Sequence, residues 1–423
     1  MHNQLINAVV KKLEVLICIL LLLLSDPLHV PFPRFLENII SLIYYGFLFF
    51  VIIRRWKKFL YVATRDKFLL LLCSLAVISF LWSANPSNTI DQARTLLRST
   101  VLGVYLAMDY TPRKQIQLLY WTMGISTVIT LVTCLLFPSF GTQAINGGVA
   151  WTGIYGHKQI LGRQASLAVS LVFVNFLTAK KNKLIVIIEF FLTFTVVLFC
   201  KSKTSLLLVV FCCLLIPLYK FVIKQRQAKL IFFLISILFY SILAIILSLN
   251  IEYIVVDLLG KDLAFDGRVP LWNLAIEKGL EQPWLGYGYE GFWSSPNVSD
   301  YVIYNSWAVL NEGFRNHSVQ FHSHNGFIDL FLELGFIGVF IFLLNIFFSI
   351  KRIITLLIST RGVEFYWMLQ FLGIFWIANL AEGGLVLSSR DMFWIIYVSI
   401  VISSAVEQTR INKFYFSRQS NYV

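Results

Sequence analysis

The chain has 423 residues, of which 58% are hydrophobic and 13% charged, and its formal net charge is +13. A soluble domain this apolar could not cover its surface with polar groups. The composition therefore excludes a soluble globular protein and predicts an integral membrane protein. The basic residues fall mostly in short connections, where they report membrane orientation, so the positive charge does not require a nucleic-acid partner.

Apolar runs of roughly 17 to 25 residues recur along the chain, and each is long enough to cross a bilayer. The sequence therefore predicts an all-α integral membrane protein with about twelve transmembrane helices. The first span is expected to be retained, because no small-residue cleavage site follows it. The predicted spans lie near residues 13–30, 35–53, 68–84, 95–110, 116–137, 161–178, 184–200, 204–223, 230–250, 326–350, 363–381 and 391–406.

Basic clusters on every second connection set the predicted orientation of these spans. The clusters RRWKK, KKNK and KQRQAK, which begin at Arg54, Lys180 and Lys224, all fall on one side. The positive-inside rule makes that side the cytoplasm and places both termini there. This orientation divides the chain into three regions. Residues 1–250 contain spans one to nine, and residues 251–325 form a large external loop. Residues 326–423 contain the last three spans and a cytoplasmic tail.

Several cations work against this orientation, because they fall on the predicted external side or just inside its interface. One interpretation is that they snorkel or pair with lipid phosphates and with carboxylates such as Asp91 and Asp391. The other is that some of them converge on an anionic ligand, since the arginine fork donates two parallel hydrogen bonds to a phosphate. These cations are Arg94, Arg98, Lys158, Arg163, Lys201, Lys203, Arg268, Arg315 and Arg390.

The predicted external loop is also rich in aromatic residues. An interfacial belt accounts for many such residues in membrane proteins, although a belt usually lies at the ends of spans. Aromatic faces beside amide groups are also what a sugar-binding groove requires, so both interpretations remain open. The aromatic residues are Trp272, Trp284, Trp293, Trp307, Tyr287, Tyr289, Tyr301 and Tyr304.

Three stretches of the chain resemble the O-antigen ligase and polysaccharide polymerase superfamily of bacterial envelopes. GRVPLWNLAIEKGLEQPWLGYGYEGFW, which begins at Gly267, resembles the G-R-x-x-L-W segment and the P-x-x-G-x-G segment that follows it. HNGFIDLFLELGFIG fits the H-N-x9-G-x-x-G signature, with His324, Asn325, Gly335 and Gly338 in register. GIYGHKQILGRQ and the shorter KSKTS are similar to segments that flank the sixth and eighth spans.

The resemblance implies a glycosyltransferase in the bacterial inner membrane, with the large loop in the periplasm. Such an enzyme moves a glycan from an isoprenoid (undecaprenyl) diphosphate to an acceptor sugar hydroxyl, and we expect it to need neither a metal ion nor another cofactor. The implied partners are the undecaprenyl-diphosphate-linked glycan, an acceptor glycan or lipid A–core, the membrane and a chain-length regulator. The GHKQILGR stretch favours a polymerase of exopolysaccharide or O-antigen over an O-antigen ligase, and protein glycosylation is a third alternative.

The same resemblance assigns roles to particular residues. His324 is the expected catalytic base, since a neutral imidazole accepts a proton near pH 7, and Arg268 is the expected ligand of the departing diphosphate. Arg163, Lys158 and Arg98 are further candidates for binding the donor diphosphate. The alternative interpretation of His324 is that it only caps the tenth span, with Asn325 assisting.

Two carboxylates are expected to support this site. Ionisable residues in or beside a span are commonly functional and paired with a cation. Asp329 follows His324 by just over one helical turn, so we expect it to orient that imidazole, and we expect Glu382 to hold an arginine in place. The i, i+2 spacing of His322 and His324 is poor for zinc, so no metal site is predicted.

A transporter or flippase is the alternative from another functional class. It would favour two similar halves with broken helices and polar residues near the bilayer midplane. In this chain the halves look unalike, and the polar residues collect toward one predicted face. The sequence therefore favours an enzyme over a transporter.

Overall fold

The structure is a computed structural model that describes residues 2–26, 28, 34–145, 148–178, 183–224, 267–319 and 321–419. The predicted ninth span, 230–250, and residues 251–266 of the predicted external loop lie outside the described residues. The described chain is mostly helical. The helices are α1 (His2–Leu23), α2 (Arg34–Arg54), α3 (Trp56–Ala63), α4 (Lys67–Ile78), α5 (Pro86–Asp109), α6 (Pro112–Leu136), α7 (Pro138–Gly141), α8 (Lys158–Thr178), α9 (Lys183–Phe199), α10 (Lys203–Lys224), α11 (Arg268–Gly279), α12 (Pro296–Tyr304), α13 (Glu312–Arg315), α14 (Gly326–Thr360), α15 (Val363–Ala381) and α16 (Met392–Gln419).

Within the described ranges, five helices are long and apolar enough to cross a membrane, namely α6, α8, α14, α15 and most of α16. Shorter apolar helices lie at Leu42–Arg54, Lys67–Leu81 and Lys203–Pro217. The chain is therefore a multi-pass, predominantly helical membrane protein, as its composition predicts. The total of twelve spans and the external position of the large loop remain predictions.

The helices pack around a core that runs the length of the bundle. Helix α16 packs along α5, α14 packs against α4 and α15, and α8 packs against α9 and α10. Gly103 permits the close approach of α5 and α16, since a Cβ there would lie 2.7 Å from the Ile395 carbonyl oxygen. Small residues at such crossings let helices approach closely in a membrane, where van der Waals packing drives their association.

A short antiparallel hairpin, which the sequence analysis does not predict, precedes α8. Strand β1 (Thr142–Ile145) pairs with strand β2 (Gly148–Trp151), with Thr142 opposite Trp151. The Trp151 ring stacks on Phe199 of α9 at 4.6 Å between ring centroids. The hairpin thereby fixes the start of the GIYGHKQILGRQ stretch against the bundle.

The 267–325 segment folds around a small core of its own, which includes Leu271, Trp293 and Phe321. The aromatic residues of the predicted loop differ in their burial. Tyr287, Tyr289 and Trp293 are buried packing residues, whereas the side chains of Trp284, Tyr301 and Tyr304 are exposed. The aromatic content of the segment therefore serves its folding as well as any surface role.

Gly335 interrupts α14 and joins the two matched motifs. Its φ of 63° and ψ of −165° are not helical, and a Cβ there would lie 2.3 Å from the backbone of Trp284. Past this break, the Phe336 N–H donates to the Pro283 carbonyl at 2.8 Å, and the Tyr287 N–H donates to the Leu332 carbonyl at 2.8 Å. The glycine of the H-N-x9-G-x-x-G signature thus provides the surface on which the P-x-x-G-x-G segment docks.

The connection between α4 and α5 holds the same segment from its other side. The Ala84 N–H donates to the Tyr287 carbonyl at 2.9 Å, and the Tyr289 N–H donates to Ser79 Oγ at 2.8 Å. Thr89 Oγ1 donates to the Tyr289 carbonyl at 2.7 Å. Residues 283–289 are therefore hydrogen-bonded both to α14 and to the start of α5.

Candidate active site

The histidine turn, Phe321 to Asn325, ends the 267–325 segment and leads into α14. Asn325 is the N-cap residue of that helix, and its Oδ1 accepts from the Phe327 N–H at 3.0 Å and the Ile328 N–H at 3.4 Å. His324 precedes the cap with a φ of 58°, in the left-handed region that few non-glycine residues adopt. The cap is therefore made by Asn325, which leaves the His324 imidazole available for another role.

Two motif residues fix the shape of this turn. Trp272, from the G-R-x-x-L-W segment, donates through Nε1 to the Ser323 carbonyl at 2.8 Å. Asp329 Oδ1 accepts from the Ser323 N–H at 3.0 Å and from Trp293 Nε1 at 2.9 Å. The Ser323 hydroxyl donates to the Asn325 carbonyl at 2.8 Å, so both the backbone and the side chain of Ser323 position the neighbouring histidines.

Asp329 contacts a different part of the turn from the one that the sequence suggests. The described hydrogen bonds do not join it to the His324 ring. A Cβ added to Gly383 would lie 2.5 Å from Asp329 Oδ2 and 2.6 Å from His322 Nδ1, so these two atoms are neighbours. The His324 N–H in turn donates to His322 Nδ1 at 3.1 Å. Any effect of Asp329 on His324 is therefore transmitted through Ser323 and His322.

The His324 imidazole lies among aromatic rings and positive groups. Its centroid is 5.9 Å from that of Trp307 and 4.2 Å from that of His322. Burial, together with the nearby His322, Arg268 and His157, lowers the pKa of His324 to about 3. The imidazole is thus neutral at pH 7 and can accept a hydrogen bond. A bound anion would raise its pKa and strengthen it as a base, since opposite charge favours the protonated form.

Arg268 is the first residue of α11, immediately after Gly267. Gly267 has a φ of 80°, and a Cβ there would lie 2.9 Å from the Trp307 ring, which explains the glycine before the arginine. Arg268 Nη1 donates to the Ala381 carbonyl at 2.8 Å. The described contacts thus use one of the five N–H donors of the guanidinium. Burial lowers the pKa of Arg268, but the group stays charged at pH 7.

Arg163 occupies a different environment from the one expected of a diphosphate ligand. Its side chain is buried, with Nη1 2.7 Å from Glu382 Oε2 and Nη2 2.5 Å from Asp391 Oδ2. The guanidinium also lies 5.2 Å from the centroid of the Phe393 ring. Glu382 is thus an ion-pair partner of Arg163. Since two carboxylates already occupy the Arg163 fork, its clearest role is to join α8 to the segment between α15 and α16.

A third buried carboxylate, which the sequence analysis does not identify, lies beside this ion pair. Asp26, just after α1, accepts from the Met392 N–H at 3.0 Å and from Gln164 Nε2 at 2.7 Å. The isolated SDP sequence after the first apolar run is the one signal that could have indicated it. Its contacts are too distant along the chain for any pattern to predict.

Three consecutive residues after α15 connect the separate parts of the site. The Ala381 carbonyl accepts from Arg268, and Glu382 pairs with Arg163. Gly383 packs against Asp329 and His322 with no room for a Cβ. The 381–383 turn therefore sets the arginine at the start of α11 and the histidines at the start of α14 relative to the buried ion pair.

The two remaining candidate cations make different contacts. Lys158 begins α8, and its N–H donates to Gln143 Oε1 at 3.2 Å. Burial lowers the pKa of the neighbouring His157, the charge of Lys158 lowers it as well, and His157 in turn helps to lower the pKa of His324. Arg98 lies over the rings of Tyr44 and Tyr45 of α2, at 4.8 and 5.6 Å from their centroids. Lys158 is thus associated with the histidines electrostatically, whereas the described contacts of Arg98 are with α2.

Comparisons with known proteins support the family that the sequence motifs resemble. Residues 188–343 match the family model described as O-antigen ligase, and this range contains Arg268 and the histidine turn. The chain is 26% identical over 327 residues to the exopolysaccharide production protein ExoQ of Rhizobium meliloti, which covers 74% of this chain and 72% of that protein.

Two shorter similarities come from other bacteria. Proteins of Rickettsia felis and Rickettsia conorii, each provisionally named polysaccharide ligase, are 32% identical over 87 residues. Those matches span 20% of each chain. The family match and the ExoQ similarity support the resemblance of this chain to the O-antigen ligase and polysaccharide polymerase superfamily.

Proposed function

We propose that the protein transfers a glycan from an isoprenoid diphosphate to an acceptor sugar hydroxyl at the outer face of a bacterial inner membrane. His324 takes the proton from the acceptor hydroxyl, whose oxygen forms a bond with the anomeric carbon of the donor. The bond from that carbon to the diphosphate breaks, and its electron pair leaves with the diphosphate, whose charge Arg268 stabilises. In this proposal neither a metal ion nor another cofactor takes part.

The observation that carries this proposal is the combination of a neutral imidazole and a charged guanidinium in one electrostatic environment. A base that must accept a proton has to be neutral before the reaction, and the low pKa of His324 satisfies this requirement. A diphosphate bound to Arg268 would add negative charge beside His324 and raise its pKa. Donor binding would then strengthen the base at the stage when the acceptor arrives.

Polymerisation is the form of this reaction that we favour. The similarity to a protein named for exopolysaccharide production extends over 74% of this chain, whereas the similarity to the two Rickettsia proteins extends over 20%. We therefore propose that the acceptor is another glycan of the same kind, with undecaprenyl diphosphate as the carrier. Transfer to lipid A–core is the second candidate, and its support is the O-antigen ligase family match.

Replacing the native copy by His324→Ala in cells that make the polysaccharide tests the proposal. We expect long polysaccharide to disappear while the lipid-linked donor accumulates in the outer leaflet, because the donor is made and translocated but not consumed. Accumulation in the inner leaflet would instead indicate a flippase and would overturn the proposal. Polysaccharide is measured on a gel and normalised to the amount of protein in the membrane.

A further inference from the structure

A basic cleft lies at the other end of α14 from the histidine turn. It has a volume of about 390 Å³ and is formed where the start of α4 meets the last third of α14 and Gln408 of α16. Lys351 follows the break at Gly335 by 16 residues, which corresponds to about 24 Å of helix. The cleft is therefore separate from the candidate active site, and the transfer reaction does not account for it.

The lining of the cleft combines cationic and aromatic side chains. The cations are Arg65, Lys67 and Lys351, beside the Arg352 that pairs with Asp66. The aromatic residues are Phe68 and Phe348, whose rings stack at 5.2 Å with 6° between their planes. An anionic head group attached to an apolar chain matches both kinds of side chain, whereas a free inorganic anion would make no use of the stacked rings.

Asp66, which also lines the cleft, forms an ion pair and several hydrogen bonds. Asp66 Oδ2 accepts from Arg352 at 2.5 Å, and Asp66 Oδ1 accepts from Asn345 at 2.8 Å and from the Leu69 N–H at 2.9 Å. Asp66 thus neutralises Arg352 and is not available to the other cations. The lining therefore keeps a net positive charge, which Arg65, Lys67 and Lys351 supply.

The two lysines are the side chains that are freest to bind a ligand. Both are exposed, and none of the described carboxylates lies within ion-pair distance of either lysine. Arg65 is more constrained, because its guanidinium lies 3.6 Å from the centroid of the Tyr61 ring and its Nε donates to the Tyr61 carbonyl. The apolar surface beside the cleft is exposed too, with Phe347 and Leu71 61% and 51% exposed.

We propose that this cleft binds the phosphate head group of an anionic phospholipid, with Lys67 and Lys351 contacting the phosphate and an acyl chain lying along Phe68 and Phe348. Basic pockets between membrane helices are suited to such head groups, and a nearby lysine strengthens the attraction to an anionic membrane. The bound lipid would link the ends of α4 and α14, and α14 also carries the histidine turn at its start.

Titration of the purified full-length protein in detergent with phosphatidylglycerol, followed by native mass spectrometry, tests the proposal. We expect the double variant Lys67→Gln/Lys351→Gln to bind this lipid about 30-fold more weakly than the wild type. The matched control is Arg113→Gln/Lys114→Gln, which removes two exposed cations at the start of α6 outside the cleft. The control should retain wild-type binding, and so should both proteins toward phosphatidylcholine.

Two further measurements separate the lipid from other sources of phosphate. Phe348→Ala should weaken phosphatidylglycerol binding while it leaves the charge of the cleft unchanged. Inorganic phosphate at the same concentration should not displace the lipid. Equal loss of binding in both double variants, or full displacement by inorganic phosphate, would overturn the proposal. Glycan transfer is not part of these readouts, so their result is independent of the proposed function.

Discussion

The two side chains on which the proposed transfer depends, His324 and Arg268, disfavour each other's positive charge. His324 is the neutral member of the pair. Burial and the neighbouring Arg268 lower its pKa, whereas the Arg268 guanidinium stays protonated. The left-handed φ of His324 and the cap made by Asn325 separate the helix terminus from the imidazole. The proposed general base, His324, and the N-cap of α14, Asn325, are thus adjacent residues with different roles.

The lowered pKa of His324 predicts how pH affects stability. The folded pKa is about 3 and the unfolded value is near 6.5, so the unfolded chain takes up this proton first as the pH falls. Wild-type protein should therefore lose stability relative to His324→Gln between pH 6.5 and pH 4. The measurement is the midpoint of thermal unfolding in detergent at each pH. A difference between the two proteins that does not change with pH would contradict the assigned pKa.

The role of Arg268 predicts a strong effect of a substitution that preserves charge. Arg268→Lys keeps the positive charge but loses the planar fork that binds a diphosphate through two hydrogen bonds. We expect glycan transfer to fall by roughly 10²-fold, with normal amounts of protein in the membrane. Arg315→Lys, at an exposed arginine in the same segment, is the control and should be active. Wild-type transfer by Arg268→Ala would show that this arginine does not hold the diphosphate.

Contacts between residues that are close in sequence can be predicted from local patterns, whereas contacts between residues far apart in sequence cannot. The Asn325 cap is local, since its partners are two and three residues away, and its residue type is typical of such positions. The partners of Arg163 are 219 and 228 residues away, so no local pattern predicts that two carboxylates enclose it. Asp26 lies outside every motif and was not identified for the same reason.

At the scale of elements, the break in α14 is what brings the two matched motifs together. A continuous helix would have used the N–H groups of Phe336 and Ile337 internally. The conformation of Gly335 releases them to the Pro283 and Trp284 carbonyls instead. The sequence shows these glycines in register with the family signature, but periodicity alone predicts one uninterrupted span there. The role of Gly335 is seen only in the structure, where a segment about fifty residues earlier in the chain packs against it.

This packing predicts that Gly335→Ala is strongly destabilising. A Cβ would lie 2.3 Å from the Trp284 backbone, and the backbone would have to keep a positive φ. We expect a loss on the order of 1–3 kcal/mol from strain alone, seen as a lower midpoint of thermal unfolding in detergent. Gly46→Ala is the matched control, since nothing lies within 4 Å of a Cβ at that position. Equal midpoints for the two variants would refute the docking role.

At the scale of the whole molecule, composition predicts the membrane class because burial of so much apolar surface requires a lipid solvent. Features with weak hydropathy signals were not predicted, among them the β1–β2 hairpin and the helices α11 to α13 inside the 267–325 segment. Their stability comes from tertiary packing, as in the core that contains Leu271 and Phe321. The orientation, however, is a prediction from lysine and arginine counts and is open to direct measurement.

The predicted orientation places the histidine turn and the basic cleft on opposite sides of the membrane. Reporter fusions after Lys58, Lys183 and Lys229 should give cytoplasmic signals, and a fusion at Asn297 should give an external signal. The three basic sites serve as internal controls for one another. A cytoplasmic signal at Asn297 would contradict the proposed outer-face reaction, because a glycan donor in the outer leaflet would not meet His324.

The most direct test of the account is transfer by purified protein in vesicles that contain a polyprenyl-diphosphate-linked glycan. The wild type should lengthen the glycan and release polyprenyl diphosphate in equal amounts. His324→Gln, which keeps hydrogen bonding but cannot take up a proton near pH 7, should retain the donor and react roughly 10² to 10⁴-fold more slowly. His322→Ala should have a much milder effect. Long chains made by His324→Gln at the wild-type rate would contradict the central claim that this imidazole is the base.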